Sequence, residues 1–230
     1  MKTLLCAGLV SFCLAGVPLG AQTVVPSRAG LVYYFEGRVA LNDHVLQREF
    51  GEFPQMKKGD LFLTGRGRAE ILLAPDVFLR LGQGASMRLV SDKVMHATVD
   101  LVTGTAILET ASLRKTQMVV VKCGDATVSI SKRGLYHLET NPARLEVFKG
   151  EAVVTSGDRR VEVGQGRALL FGQTWTTQEF DRHQTDALDT WSSARSKQFE
   201  LANAAAAWES VPPDDWDFSA ENSRAPGPSR

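Results

Sequence analysis

Apolar side chains recur at every second position over much of this chain, in short runs that turn residues separate. One run puts Ala69, Ile71 and Leu73 on one side of the backbone, and the next puts Leu79 and Leu81 there. A period of two residues is typical of a β-strand with one face in a core and the other in water. A Pro-Asp pair between the runs supplies a turn. The pattern therefore predicts a β-hairpin here.

The same pattern continues with few breaks to about residue 175, punctuated by Gly-Asp, Asn-Pro and Ser-Gly-Asp turns. Its apolar positions include Met118, Val120, Val128, Ile130, Leu138, Leu145, Val147, Val161, Val163, Ala168 and Leu170. Many short strands with frequent turns are typical of all-β folds. We therefore predict a mainly β domain over residues 24–175, built from many short strands as a twisted sandwich or a β-helix-like coil.

A faint internal repeat supports one continuous β-architecture. Gly37, Gly104 and Gly150 each stand between two short apolar runs of similar sequence. The two spacings differ, so the unit is not a solenoid of fixed period. Glycine is favoured where the backbone bends sharply, because it has no Cβ. We predict that these three glycines have a structural role at bends between strands.

From about Gln178 the hydrophobic period changes from two residues to about 3.6. Residues 176–179 have the form of a capping box. The sequence predicts an amphipathic helix over residues 176–208 that packs on the β-domain, with a disordered tail rich in Pro, Asp, Ser and Asn over residues 209–230. The apolar face of the predicted helix consists of Phe180, Ala187, Leu188, Trp191, Ala194, Phe199 and Ala202.

Residues 1–21 have the features of a secretory signal peptide. A lysine at position 2 precedes an apolar run over residues 4–17, and small residues lead up to Ala21. Cleavage there predicts a periplasmic or secreted protein. An uncleaved membrane anchor is the alternative, because the run approaches the roughly 17 residues that a spanning helix needs.

The cysteines and histidines indicate no chemistry. Cys6 and Cys13 lie in the predicted leader, so Cys123 alone remains and an internal disulfide is excluded. Cys123 stands between apolar β-runs and is interpreted as buried and inert. The four histidines lack metal-ligand spacing, and we expect ordinary surface or turn residues. No catalytic residue, metal site or cofactor is predicted.

The overall charge is balanced, with 26 acidic and 26 basic side chains. Such a balance gives no electrostatic reason to bind nucleic acid or an anionic membrane surface. We expect neither, and any membrane contact is expected to go through a partner. No small-molecule substrate is evident from the sequence.

The predicted hairpin resembles the FecR domain, an extracytoplasmic β-domain first associated with regulators of ferric-siderophore uptake. The resemblance rests on Thr64-Gly65, Ala69-Glu70, two apolar strands and a closing Leu81-Gly82, with Gly65 as a further structural glycine. A second part, which ends in Val163-Gly164-Gln165, extends it over residues 32–166. The resemblance implies a β-domain outside the inner membrane that takes part in recognition.

Iron-responsive members of this family contact an outer-membrane receptor. They pass the signal through one membrane helix to a cytoplasmic segment that holds a sigma factor. Only three residues precede the apolar run in this sequence. We therefore expect no such segment here, and neither direct sigma-factor control nor a role in iron uptake is implied.

Five residues are candidates for a binding surface. Arg66, Arg68, Arg80 and Arg88 fall opposite the apolar face of the predicted hairpin. They form either a patch that faces an anion or a glycan, or an ordinary solvated face interleaved with acidic residues. Trp191 either packs on the β-domain or anchors a partner.

The sequence thus predicts an exported, non-enzymatic FecR-like domain that binds a protein or polymer of the cell envelope, in signalling or envelope assembly. One alternative is a sensor or regulator subunit of a FecR-type signalling system that acts through a separate membrane partner. Another is a cell-wall enzyme with a site assembled from dispersed residues.

Overall fold

The computed structural model describes residues 28–49, 51–172 and 175–209. The predicted leader and nearly all of the predicted tail lie outside these residues. Fifteen strands and one helix follow each other along the described chain. They are β1 (Leu31–Leu41), β2 (His44–Val45), β3 (Leu61–Ala74), β4 (Val77–Leu81), β5 (Ser86–Ser91), β6 (His96–Thr103), β7 (Thr105–Thr110), β8 (Met118–Cys123), β9 (Ala126–Ile130), β10 (Gly134–Thr140), β11 (Ala143–Lys149), β12 (Glu151–Ser156), β13 (Arg159–Gly164), β14 (Arg167–Leu170), β15 (Thr177–Glu179) and α1 (Ala187–Glu209). The predicted fold class, mainly β with one C-terminal helix, is confirmed.

All fifteen strands belong to one sheet that curls into a nearly closed barrel. The long strand β3 pairs with β1 along one side and with β5 and β4 along the other. One wing runs from β5 through β6, β8, β9 and β12 to β13, and the other runs from β4 through β7, β10, β11 and β14 to β15. The wings meet where β13 contacts β11 and β14. Among the described strands, β6 and β8 are the one parallel pair.

The inner face of the sheet forms the hydrophobic core. The alternation in β3 and β4 predicts this face correctly, since Ala69, Ile71, Leu79 and Leu81 are all buried. The core continues through Phe62, Leu73, Met87, Leu89, Val99, Leu101, Leu108, Val121, Val128, Tyr136, Leu138, Leu145, Val147 and Val154. Burial of such side chains contributes about 1.5–3 kcal/mol each and is the main force that holds the sheet together.

Two details of the predicted alternation are wrong. In β8 the buried residues are Val119 and Val121, while Met118 and Val120 are partly exposed. Consecutive apolar residues fill this strand, so the sequence alone does not decide which parity faces the core. In β14 it is likewise Leu169 that is buried, and the predicted Leu170 is exposed.

The repeated glycines stand at bends. Gly104 links β6 to β7 and Gly150 links β11 to β12, each with a φ of 87°. This left-handed conformation is costly for residues that carry a Cβ. A Cβ at Gly150 would also lie 2.5 Å from the Tyr136 hydroxyl oxygen. Gly37 has a φ of 69° at a bulge inside β1, whereas Gly65 is an exposed residue within β3.

The helix boundaries differ from the prediction. Residues 177–179 form strand β15, and α1 begins only at Ala187. The capping box is Asp186 with Asp189: the Asp186 carboxylate accepts a hydrogen bond from the Asp189 amide, and the Asp189 carboxylate accepts one from the Asp186 amide. A local motif at residues 176–179 is overridden because those residues complete the edge of the sheet beside β14. No helix within the described ranges is long and apolar enough to cross a membrane.

Candidate functional site on the outer face of the sheet

A line of polar side chains crosses the outer face of the sheet under α1. Strand register aligns Glu70 with Arg80, Arg80 with Ile107, Ile107 with His137, and His137 with Glu146. Directly paired residues point to the same face of a sheet. We call Glu70, Arg80, His137 and Glu146 the polar row.

Arg80 is the centre of a buried ion network. Its side chain is 1% exposed, and its Nε donates to Glu70 Oε2 at 2.7 Å. Its Nη1 donates to Glu109 Oε2 and, at 2.8 Å, to Ser192 Oγ. A buried charge is tolerated only when partners and hydrogen bonds replace the lost water. Here two carboxylates and a hydroxyl supply them.

The helix contributes one face to the same network. Ser192, Arg195 and Ser196 are three and four residues apart, so they lie on one side of α1. Arg195 Nη2 donates to Glu70 Oε1 at 2.8 Å, and Ser196 Oγ donates to Glu109 Oε2. The helix is therefore held to the sheet through charged and hydroxyl groups at the middle of its contact.

An apolar cluster continues this contact toward the end of the helix. Leu31, Leu72 and Phe78 form a small buried group on the outer face, and Tyr33 and Phe199 pack against it. The Phe78 and Phe199 rings meet edge to face with centroids 5.1 Å apart. Of the predicted apolar helix face, Leu188, Trp191 and Phe199 contact the sheet, while Ala187, Ala194 and Ala202 are exposed and Phe180 precedes the helix.

At the other end of the contact, the N-terminus of α1 lies beside His137. His137 is buried in β10, contrary to the expectation of a surface residue, and its Nδ1 lies 3.4 Å from Asp189 Oδ1. Burial lowers the pKa of His137, but the Asp189, Asp186 and Glu146 carboxylates outweigh it and raise that pKa above the usual range. Burial likewise raises the pKa of Asp189, and the contacts with His137 and Asp186 outweigh it and lower that pKa. A cleft of about 260 Å³ opens next to this group.

A second cleft, of about 410 Å³, lies beside the apolar cluster. We call it the aromatic cleft and define it by Tyr33, Tyr34, Arg48 and Phe53. Phe53 is 39% exposed and stacks on Tyr33 with centroids 5.6 Å apart. The Arg48 guanidinium lies 4.8 Å from the centre of the Tyr34 ring. Exposed aromatic rings next to cations are typical of recognition surfaces.

The four candidate arginines do not form one patch. Arg80 is buried, so the expectation that it faces water is wrong: its position under α1 turns an outward residue into a buried one. Arg88 is exposed on β5, where that strand pairs with the start of β3, and its guanidinium donates to the Gly59 carbonyl. Arg66 is exposed, and Arg68 is partly buried where it donates to the Ala187 carbonyl of α1.

Trp191 packs on the β-domain but is only partly buried. The centre of its ring lies 6.3 Å from the centre of the Tyr34 ring. The guanidinium carbon of Arg68 lies 5.8 Å from the centre of the Trp191 ring. Tyr34 also borders the aromatic cleft. The residue therefore supports the wall of that cleft from the helix side.

The residues on which the FecR resemblance rests have structural partners. The buried Thr64 hydroxyl bonds to the Gly82 carbonyl and accepts the Ala85 amide, which fixes the turn after β4. Glu70 binds Arg80 and Arg195. Within the motif, Glu70 thus contributes to the surface on which α1 lies, and Thr64 holds the turn after β4.

Cys123 is buried, and burial together with the Asp100 charge raises the pKa of its thiol to about 11. The remaining histidines, His44, His96 and His183, are exposed.

Sequence reasoning missed Glu109, Ser192, Arg195 and Ser196. The available signal was the spacing of the last three along one helix face.

No family model and no curated protein matches this sequence. Two crystal structures of a candidate anti-sigma factor from Parabacteroides distasonis ATCC 8503, at 2.50 and 1.65 Å, are similar to it with a TM-score of 0.45 each. The identities are 14% and 13%, and each match covers 53% of this chain and 59% of the other. The chain thus spans little more than half the length of the structures it matches.

Proposed function

We propose that this chain is an exported, non-enzymatic domain of the FecR type that binds a protein or polymer of the cell envelope through the aromatic cleft. The observation that carries the proposal is the exposed Phe53, stacked on Tyr33 beside the Arg48–Tyr34 pair. Rings held in this way lose little side-chain entropy when a ligand covers them.

The shape and charge of the cleft suit an extended ligand. It is open to solvent, and Glu49 and Glu52 line it together with Arg48 and the rings. A peptide or a glycan chain can place apolar groups on Phe53 while it pairs with charges at both edges. Trp191 and Arg195 support Tyr34 from behind, because the Arg195 guanidinium lies 4.0 Å from the Tyr34 ring centre.

The proposal of a non-catalytic contact between sheet and helix is supported by how the polar side chains of that contact are used. The Thr64, Ser192 and Ser196 hydroxyls and the Glu70 and Glu109 carboxylates all serve contacts between strands or between sheet and helix. An enzyme needs a nucleophile and a base that are free to meet a substrate. The groups of this interface are held by one another instead.

The binding surface can be tested by photo-crosslinking in cells. A photoreactive phenylalanine analogue at position 53 should form an adduct with an envelope component. The same analogue at Val102, which is 46% exposed on β6, is the matched control and should not form that adduct. Competition by Phe53→Ser protein should fail where wild-type protein succeeds.

The outcomes separate the alternatives. An adduct with a signalling membrane protein would support the sensor or regulator function. Release of wall fragments by the purified protein would establish the cell-wall enzyme. Equal labelling from positions 53 and 102 would contradict a binding surface at the aromatic cleft.

Export is tested separately. The mature N-terminus should lie near Gln22, and intact residues 1–21 in a membrane fraction would contradict cleavage. Intact-mass measurement of the protein from cells decides between the two.

A further inference from the structure

Three metal-binding side chains from two elements meet at the start of α1. His137 comes from β10, Asp186 precedes the helix and Asp189 lies in its first turn. One ligand atom from each residue lies within 4.8 Å of the other two. The sequence gives no hint of this group, because about 50 residues separate the histidine from the two aspartates.

The histidine has an unused nitrogen in a buried position. His137 is 7% exposed, and its Nδ1 makes no hydrogen bond. The nearby Asp189 Oδ1, at 3.4 Å, is an ion-pair contact without the alignment of a hydrogen bond. A buried polar atom without a hydrogen-bond partner is uncommon in folded proteins and calls for a ligand, an ion or a water molecule.

The two aspartates keep oxygen atoms outside the helix cap. Asp186 Oδ1 accepts from the Leu188 and Asp189 amides, and Asp189 Oδ2 accepts from the Asp186 amide. The second oxygen of each carboxylate, Asp186 Oδ2 and Asp189 Oδ1, takes no part in these bonds. The capping box therefore fixes both carboxylates while one oxygen of each stays available.

Two neighbouring groups limit what the site binds. Glu146 is held by the Arg144 guanidinium at 3.2 Å, so its carboxylate is partly neutralised. The positive end of the α1 dipole opposes a cation, which the two aspartates must outweigh. Gln184 and Thr185 line the adjoining cleft and leave room for water on the fourth side.

We propose that His137, Asp186 and Asp189 form a binding site for a divalent cation of the zinc class, with water in the open position. One imidazole and two carboxylates are a ligand set that Zn²⁺ accepts. Ligand atoms at about 2.1 Å from one ion in a tetrahedral site are about 3.4 Å apart, so ligand atoms that now lie up to 4.8 Å apart need to close by up to about 1.4 Å when the ion binds. The ion would join the start of α1 to β10, independently of the aromatic cleft.

The test is calorimetric titration of the metal-free full-length chain with ZnCl₂ at about pH 8, because protons compete with the metal for the imidazole. We expect one ion per chain in the wild type. Asp189→Asn and His137→Gln should each weaken binding by about tenfold or more. Asp181→Asn, which removes the same charge from the same cleft, is the matched control and should change the affinity by less than about twofold.

Asp189→Asn keeps an oxygen that can accept the Asp186 amide, so the fold should persist, and circular dichroism checks this. Co²⁺ in place of Zn²⁺ identifies the ligands, because a thiolate ligand would add a strong near-ultraviolet band. Such a band, undiminished zinc binding in Asp189→Asn, or no binding to the wild type would each overturn the proposal.

Discussion

Both faces of the sheet hold fully buried side chains where α1 covers the outer face, but different forces stabilise the two faces. Leu79 on the inner face and Arg80 on the outer face are neighbours in β4, and each is 1% exposed. Leu79 belongs to a large apolar core, in which other apolar side chains of similar volume can pack. Arg80 needs partners at fixed places, namely Glu70, Glu109 and Ser192.

This difference assigns separate tasks to the two faces. The inner face provides most of the stability, because apolar burial is large and not directional. The polar contacts on the outer face fix the position of α1, since Arg195 bonds to the Glu70 carboxylate and Ser196 to the Glu109 carboxylate, and hydrogen bonds are directional. The position of the helix in turn supports Tyr34 in the aromatic cleft and brings Asp189 to His137.

The largest expected effect comes from breaking the network at its centre. Arg80→Met should lower the free energy of unfolding by about 3–5 kcal/mol, because it leaves Glu70 buried with only Arg195 as a partner. Chemical denaturation measures this. Leu79→Ala, the inner-face control, should cost about 2–5 kcal/mol through a cavity.

The double variant Glu70→Met/Arg80→Met sharpens the comparison. Arg195 and Glu109 are partly exposed and can reach water, so removing both buried charges should cost less than removing Arg80 alone. A loss of stability in the double variant equal to the sum of the losses in Glu70→Met and Arg80→Met would show that the two charges act independently, contrary to our account.

The next largest loss in the free energy of unfolding is expected from a substitution at a bend between strands. Gly150→Ala should cost about 1–3 kcal/mol, because it combines a positive φ with a clash against Tyr136. Gly157→Ala is the control, since Gly157 also has a positive φ but nothing lies within 4 Å of a Cβ there. Equal denaturation midpoints for the two variants would mean that the clash has no effect.

Trp191→Ala should have a smaller effect than a buried aromatic would. The ring is partly exposed and contacts Tyr34 and Arg68, so we expect a loss of about 1–2 kcal/mol in the free energy of unfolding. Thermal unfolding measures it. A loss as large as that of Arg80→Met would place the tryptophan, instead of the ion network, at the centre of the helix contact.

The smallest effect is expected from treating the native protein with a thiol reagent, because the Cys123 thiol should be unreactive. A pKa of about 11 keeps the thiol protonated at neutral pH, and the thiolate is the reactive form. Alkylation by iodoacetamide should be much slower in the native protein than in denaturant, as followed by peptide mass. Equal rates would show that the thiol is accessible.

How far the sequence predicts this structure follows from the same comparison. The inner face can be predicted from the sequence because apolar residues alternate, as at Ile71 and Leu79. The hairpin and the bends at Gly104 and Gly150 can be predicted from their turn residues. The burial of the outer face cannot be predicted in this way. Arg80 and Glu70 have the composition of a solvated surface, and their burial depends on α1, which lies more than 100 residues further along the chain.

The helix boundary shows the same limit. The motif at residues 176–179 fits a helix start, but pairing with β14 makes it a strand. The cap at Asp186 and Asp189 has an equally short signature and goes unnoticed because a longer apolar period is expected to begin earlier. Local patterns of this length do not decide between competing tertiary partners.

The most direct test of the central claim, that the ion network holds α1 on the outer face, is amide hydrogen exchange of α1 in the wild type and in Arg80→Met. The account predicts that residues 187–204 lose most of their protection in the variant while β10 keeps its own, because the sheet has an independent core. Unchanged protection of α1 in a folded Arg80→Met variant would contradict it, and would show that the apolar contacts of Phe199 hold the helix without the ions.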